Sequence, residues 1–137
     1  MPSAVIATHS VTTSSKGYRR LEVWQKADEL AYQVYEVTKN FPGDERFGLV
    51  SQMRRASVSV AANIVEGYSH ATAKERCRFY EIARCSLTEL EYYIDFVYAR
   101  LRYITVAQHE QLSALREDVG RLLHKFIRAE RALCREV

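Results

Sequence analysis

The stretch TAKERCRFYEIARCSLTELEYYIDFVYARLRYITVAQ, residues 72–108, decides the fold. Thr72 and Glu75 have the T-x-x-E spacing of a capping box, in which two side chains satisfy amides that a first helical turn leaves open. From there Phe79, Ile82, Ala83, Ser86, Leu87, Leu90, Ile94, Val97 and Leu101 recur every three or four residues. They line one side of a helix predicted over about 72–102. Thr105 and Gln108 then form a second capping box and open a helix over about 105–133. Its apolar side carries Leu112, Leu115, Val119, Leu122, Leu123, Phe126, Ile127 and Leu133. Two long helices joined by so few residues must run antiparallel.

Upstream the pattern repeats. Val23, Trp24, Ala27, Leu30, Ala31, Val34, Val37 and Thr38 share one arc of a helix over about 21–40, which Pro42 and Gly43 stop. A second helix is predicted over about 45–66, with Leu49, Val50, Met53, Ala56, Val60 and Ile64 as its core arc. Gly67 is positioned to cap it in the left-handed conformation. Strand signals are absent. The fold predicted is all-α, an antiparallel up-down-up-down four-helix bundle over 19–135, after a disordered tail over 1–18 that is rich in Ser and Thr.

Composition narrows the function. The chain has 137 residues, enough for one domain, and a formal charge of +3. Of its 20 basic residues 15 are Arg, which binds carboxylate or phosphate through a planar fork that Lys lacks. Cys77, Cys85 and Cys134 are odd in number and form no CxxC pair, so reduced thiols in a cytoplasmic protein are expected. Charges interrupt every apolar run, so no membrane span is expected. Motifs for phosphate loops, zinc proteases and serine hydrolases are missing, and no Glu has His three residues later, as di-iron bundles require. No catalytic residue, metal or cofactor is predicted, and the chain reads as a non-enzyme.

Three surfaces remain once the core is filled. On helix two Gln52, Arg55, Ser59, Asn63 and Glu66 form a polar stripe beside the core arc, read as a network that fixes helix register. Val58, Ala61 and Val65 widen the same helix's apolar side, and Cys85, Tyr92, Phe96 and Ala99 form a second stripe on helix three. Val58, Val65, Tyr92 and Phe96 are therefore assigned to an oligomer interface. The outward side of helix four presents Arg121, Lys125, Arg128, Arg131 and Arg135, with His124 among them. Arg54, Arg76, Arg78, Arg84, Arg100 and Arg102 add charge elsewhere. Such a face can follow a phosphate backbone. It can also be a solvated face laced with ion pairs such as Glu117–Arg121.

Gln52-Met-Arg-Arg-Ala56, Ser59-Val-Ala-Ala-Asn63-Ile-Val-Glu66-Gly67, Lys74-Glu75, Ile82-Ala83 and Ser86-Leu-Thr-Glu-Leu-Glu91 resemble the 23S rRNA intervening-sequence protein family. Val23-Trp24-Gln25-Lys26-Ala27, Phe41-Pro42, Phe47-Gly48-Leu49 and Tyr103-Ile104 are similar too, so the likeness covers roughly 20–130. It implies a bacterial four-helix bundle that assembles as a ring-shaped homopentamer. A related branch serves diversity-generating retroelements, which implies RNA or DNA and a protein such as a reverse transcriptase as partners. By position the family's signature residues correspond to Arg54, Arg55, Ser59, Asn63, Glu66 and Gly67. The family often has Pro at Ala61, Gly-Arg at Ser69-His70, and Gly at Cys85 and Arg102.

Three readings follow. In the first, an oligomeric bundle binds nucleic acid through Arg121, Lys125, Arg128, Arg131 and Arg135 together with Arg54. In the second it is a scaffold or adaptor for another protein, its arginines meeting carboxylates between subunits. A third, a ligand in the bundle's central channel, rests only on the tyrosines of helix three.

Overall fold

A computed structural model describes residues 17–136. Four helices follow one another: α1 (Glu22–Thr38), α2 (Leu49–Tyr68), α3 (Ala73–Ala99) and α4 (Val106–Glu136). Single 3-10 turns stand at Gly17–Arg20 and Gly43–Glu45, and no strand occurs among the described residues. Of the tail expected over 1–18, residues 1–16 lie outside the described ones. Gly17 and Tyr18 open the first 3-10 turn, where the Tyr18 ring meets Trp24 edge-on at 5.0 Å.

Each helix packs on two others: α1 on α2 and α4, and α3 on α2 and α4. The ring therefore closes in chain order, the arrangement that short connections impose. The second capping box forms in full and the first by half. Thr72 accepts from the Glu75 amide at 3.2 Å, while Thr105 and Gln108 exchange hydrogen bonds at 2.9 and 3.1 Å. Leu30, Val34, Met53, Val60, Ile64, Leu90, Ile94, Leu112 and Leu123 fill the axis, where a channel ligand would have had to sit.

The core of α3 differs from the predicted arc. Tyr80 is fully buried, while Phe79 is half-buried and Ile82 is 40% exposed. Only the start of the arc differs, since Ala83, Leu87, Leu90, Ile94 and Val97 are buried as expected, and α2 makes room for the Tyr80 ring. A Cβ on Gly67 would stand 2.6 Å from Tyr80 Cε1 and 3.1 Å from the Arg76 carbonyl oxygen. Gly67 is therefore not the expected left-handed cap. It lies inside α2, which continues to Tyr68, and its value is the side chain it lacks.

The entry to α2 also departs from expectation. Instead of a helix from residue 45, the 3-10 turn at Gly43–Glu45 leads to Gly48, whose φ of −108° and ψ of −107° precede the first helical residue. Glu45 fixes this loop to the α3–α4 connection by accepting from the Tyr103 hydroxyl at 2.9 Å. In that connection Arg102 holds φ at 59°, in the left-handed region that disfavours a side chain.

Two outcomes test this packing. Gly67→Ala forces the Tyr80 ring or the α3 backbone aside and lowers unfolding free energy by about 1–3 kcal/mol in a urea titration. Burial, aided by the charge of Glu130, pushes the Tyr80 phenol from 10.0 up to about 12. Since the fold favours the neutral phenol, its contribution is complete below pH 10 and is lost as pH rises toward 12. The loss is on the order of 2 kcal/mol. Tyr80→Phe lacks that increment, so the gap between the two proteins' alkaline stability curves measures it.

Candidate nucleic-acid interface

The long α4 sets the geometry of the basic face. Lys26 pairs with Asp118 at 3.5 Å, which brings Glu22, the first residue of α1, level with about residue 122 of α4. Beyond that point the ion pairs of α4 go to α3, as Arg76–Glu130 at 2.9 Å and an ion pair of Arg131 with Glu81. Lys125, Arg128, Arg131 and Arg135 lie beyond that level and Arg121 beside it, and all five are exposed. They span roughly 21 Å of helix.

Their electrostatic states divide them. Arg121 bonds Asp118 at 3.1 Å, not the expected Glu117, because the aspartate one residue nearer already faces Lys26. That hydrogen bond from Arg121, with the charge of Lys26, holds the Asp118 carboxyl below its ordinary value. Arg131 shares Glu81 with Arg84, whose own bond to that carboxylate is 2.7 Å. Lys125, Arg128 and Arg135 have no carboxylate within 4.0 Å among the described residues. These three form an unneutralised ridge.

Arg54 stands apart from it. Its Nε donates to Thr38 Oγ1 at 2.9 Å, and its guanidinium lies 4.5 Å from the Tyr35 ring centroid. The predicted nucleic-acid set is thus split between an α4 ridge and a clasp that holds α2 to α1. Arg76, read from sequence as surface charge, is instead three-quarters or more buried in its side chain. Besides Glu130 it donates to the carbonyls of His70 and Ala71 at 3.1 and 2.8 Å, locking the α2–α3 loop onto α4. No periodicity marks it, since its partner is 54 residues away.

The polar stripe on α2 is brought together only in its middle. Ser59 meets Ser86 of α3 at 2.8 Å, and Asn63 donates to the Ser59 carbonyl and hydroxyl at 2.8 and 3.1 Å. Arg55 bonds Gln52, and the Glu66 carboxylate is exposed with no cation within 4.0 Å among the described residues. Tyr92, 61% exposed, stacks on Phe96 at 5.7 Å. Val58 is 43% exposed and Val65 packs partly against the core. Both valines follow Arg54 at helical spacing, on the α1 side of α2, whereas the aromatic pair lies beyond the Ser59–Ser86 seam. The four residues assigned to one interface therefore form two separate patches.

A cavity of about 250 Å³ opens between α3 and α4, lined by Glu91, Asp95, His109 and Arg116 among others. His109 bonds Asp95 at 2.9 Å and stacks on Tyr98 at 4.1 Å, and Arg116 reaches Glu91 at 3.6 Å. Its charges largely satisfy one another. Among the described residues no group of three His, Cys, Asp or Glu side chains is gathered as a metal site needs, and no helix is long and apolar enough to cross a membrane.

The family model described as 23S rRNA-intervening sequence protein matches residues 19–125. A crystal structure of a protein with unknown function from the S23 ribosomal protein family of Bacteroides thetaiotaomicron is similar at 25% identity. The likeness covers 77% of this chain and 95% of that one, with a TM-score of 0.71. No curated protein matches.

The Arg76 lock yields a measurable expectation. Arg76→Ala strands Glu130 in a half-buried site and lowers stability by about 2–4 kcal/mol, whereas Arg78→Ala, exposed on the same helix, changes it by less than about 0.5 kcal/mol. Thermal melts of the two variants compare them directly.

Proposed function

This chain belongs to the 23S rRNA-intervening sequence protein family, and on that premise we propose that it is a cytoplasmic, non-enzymatic protein that binds RNA or DNA through α4 while assembled as a homo-oligomer. One observation carries the reading: among the described residues Lys125, Arg128 and Arg135 have no carboxylate partner, whereas the other α4 arginines pair with carboxylates. Three cations spread over roughly 15 Å of helix can meet successive phosphates of one backbone.

A single protomer at +3 is a weak ligand for a polyanion. Copies arranged around a symmetry axis, as in the pentamer implied by the family likeness, would repeat the ridge and add its contacts. Exposed Tyr92, stacked on half-buried Phe96, supports association, since an aromatic ring in water is stabilised by being covered. The same pair supports the second reading, a scaffold whose partner is another protein such as a reverse transcriptase.

Fluorescence polarisation with a labelled RNA strand, read at 50 and 200 mM salt, separates the two. Three phosphate contacts per protomer on a single strand predict an affinity loss of about 20-fold across that range. Lys125→Glu, Arg128→Glu and Arg135→Glu together should abolish most binding and leave the oligomer's mass by light scattering unchanged. Absence of low-salt binding, or binding insensitive to salt, rules out the nucleic-acid reading. Collapse of the oligomer in the triple variant would assign these residues to subunit contacts.

A further inference from the structure

The opposite end of the bundle carries a second group of residues that the core does not use. There the α1–α2 loop and the α3–α4 loop are tied by the Tyr103–Glu45 hydrogen bond at 2.9 Å and by the contact of Phe41 with Tyr103 at 5.0 Å. Phe41 is buried at 8% exposure, and six residues later Phe47 is left 88% exposed, the most exposed large apolar side chain described. The Arg46 guanidinium lies 5.5 Å from its ring centroid. Arg100 and Arg102 are exposed on the other loop, on either side of Leu101 and next to the tethered Tyr103.

This end carries acids as well as arginines, and among the described residues the two are not paired with one another. Glu45 is occupied, one carboxylate oxygen by Tyr103 and the other facing the Leu49 amide at 3.5 Å. Asp44 is the other acid of the loop. Arg46, Arg100 and Arg102 have no carboxylate within 4.0 Å among the described residues. Arg102 keeps its exposed side chain at a backbone φ of 59°, where glycine would sit without strain. A residue held against its own backbone preference points to a role for its charge.

An exposed aromatic ring among unpaired arginines is the pairing that holds a nucleobase, by stacking on the ring face, together with its flanking phosphates. A second copy of this chain fits less well, because an interface formed around Phe47 would bring three arginines from each copy together. We propose that Phe47, with Arg46, Arg100 and Arg102, forms a nucleobase-stacking site for single-stranded nucleic acid at the loop end of the bundle. Lys125, the nearest member of the ridge, lies about 28 Å along α4 from the start of that helix at this end, so one strand several nucleotides long spans both. The proposal rests on the nucleic-acid reading above and adds to it a preference for unpaired bases.

The test uses the intact chain with two labelled 15-nucleotide strands of equal charge, oligouridine and an abasic backbone, at 50 mM salt. The wild type should bind oligouridine about ten-fold or more tighter than the abasic strand. Phe47→Ala should erase that preference with the salt slope unchanged, and Phe47→Trp should keep it. Arg102→Gly should raise the melting temperature by a few degrees yet weaken binding of both strands, a combination that a merely structural residue would not give. Salt-dependent binding with no base preference in the wild type, or a preference that survives in Phe47→Ala, overturns this proposal alone. A smaller oligomer in Phe47→Ala with the preference intact assigns the ring to contact between copies and overturns it too. Failure of the wild type to bind either strand removes both readings.

Discussion

The approach of α2 to α3 hinges on a missing side chain. Gly67 lets the Tyr80 ring lie against the α2 backbone, and the phenol then reaches the interior, where its ring meets Phe126 of α4 at 5.2 Å. One aromatic side chain thus touches three of the four helices. Arg76, one turn earlier on α3, uses the same closeness to seize the α2–α3 loop and Glu130. Remove the glycine's vacancy and the helix corner, the loop lock and the seat of α4 all shift together.

How much of this could be read in advance depends on where the information lies. The α1 face was legible residue by residue, since Val23, Trp24, Ala27, Leu30, Ala31, Val34 and Thr38 are buried and Val37 partly so. Both capping boxes were legible because their partners are three residues apart. The α3 arc was misread at its start, where Phe79, Tyr80 and Ile82 are all apolar enough to face inward. Only the partner helix decides among them, and the deciding feature, Gly67, looked like a cap. Of the candidate interface, the periodicity of Arg121, Lys125, Arg128 and Arg135 was visible. Which cations are neutralised was not, because Glu81 and Asp118 are assigned by tertiary register.

The arginine surplus resolves into separate roles. Arg54 clasps α1 through Thr38 and the face of Tyr35, Arg76 locks a loop, and Arg121, Arg131 and Arg84 pair with acids on the helix surface. Arg128 and Arg135 on α4, and Arg46, Arg100 and Arg102 at the loop end, face solvent. A guanidinium can serve all these positions because it spreads its charge over a flat, multidentate group. Net charge conceals this division, since internal pairs cancel in the total and outward cations do not.

The overhang of α4 past α1 has a further consequence for motion. Its last two turns or so lack an α1 neighbour, their Leu133 is 48% exposed, and their tether to α3 consists of polar pairs. Amide protons there should exchange with solvent through local fraying far sooner than those around Val119 and Leu123. The segment that carries the unneutralised charge is therefore the one with the most conformational freedom to lose. Whatever settles on it is bound against that ordering entropy, which favours extended, many-point ligands over compact ones.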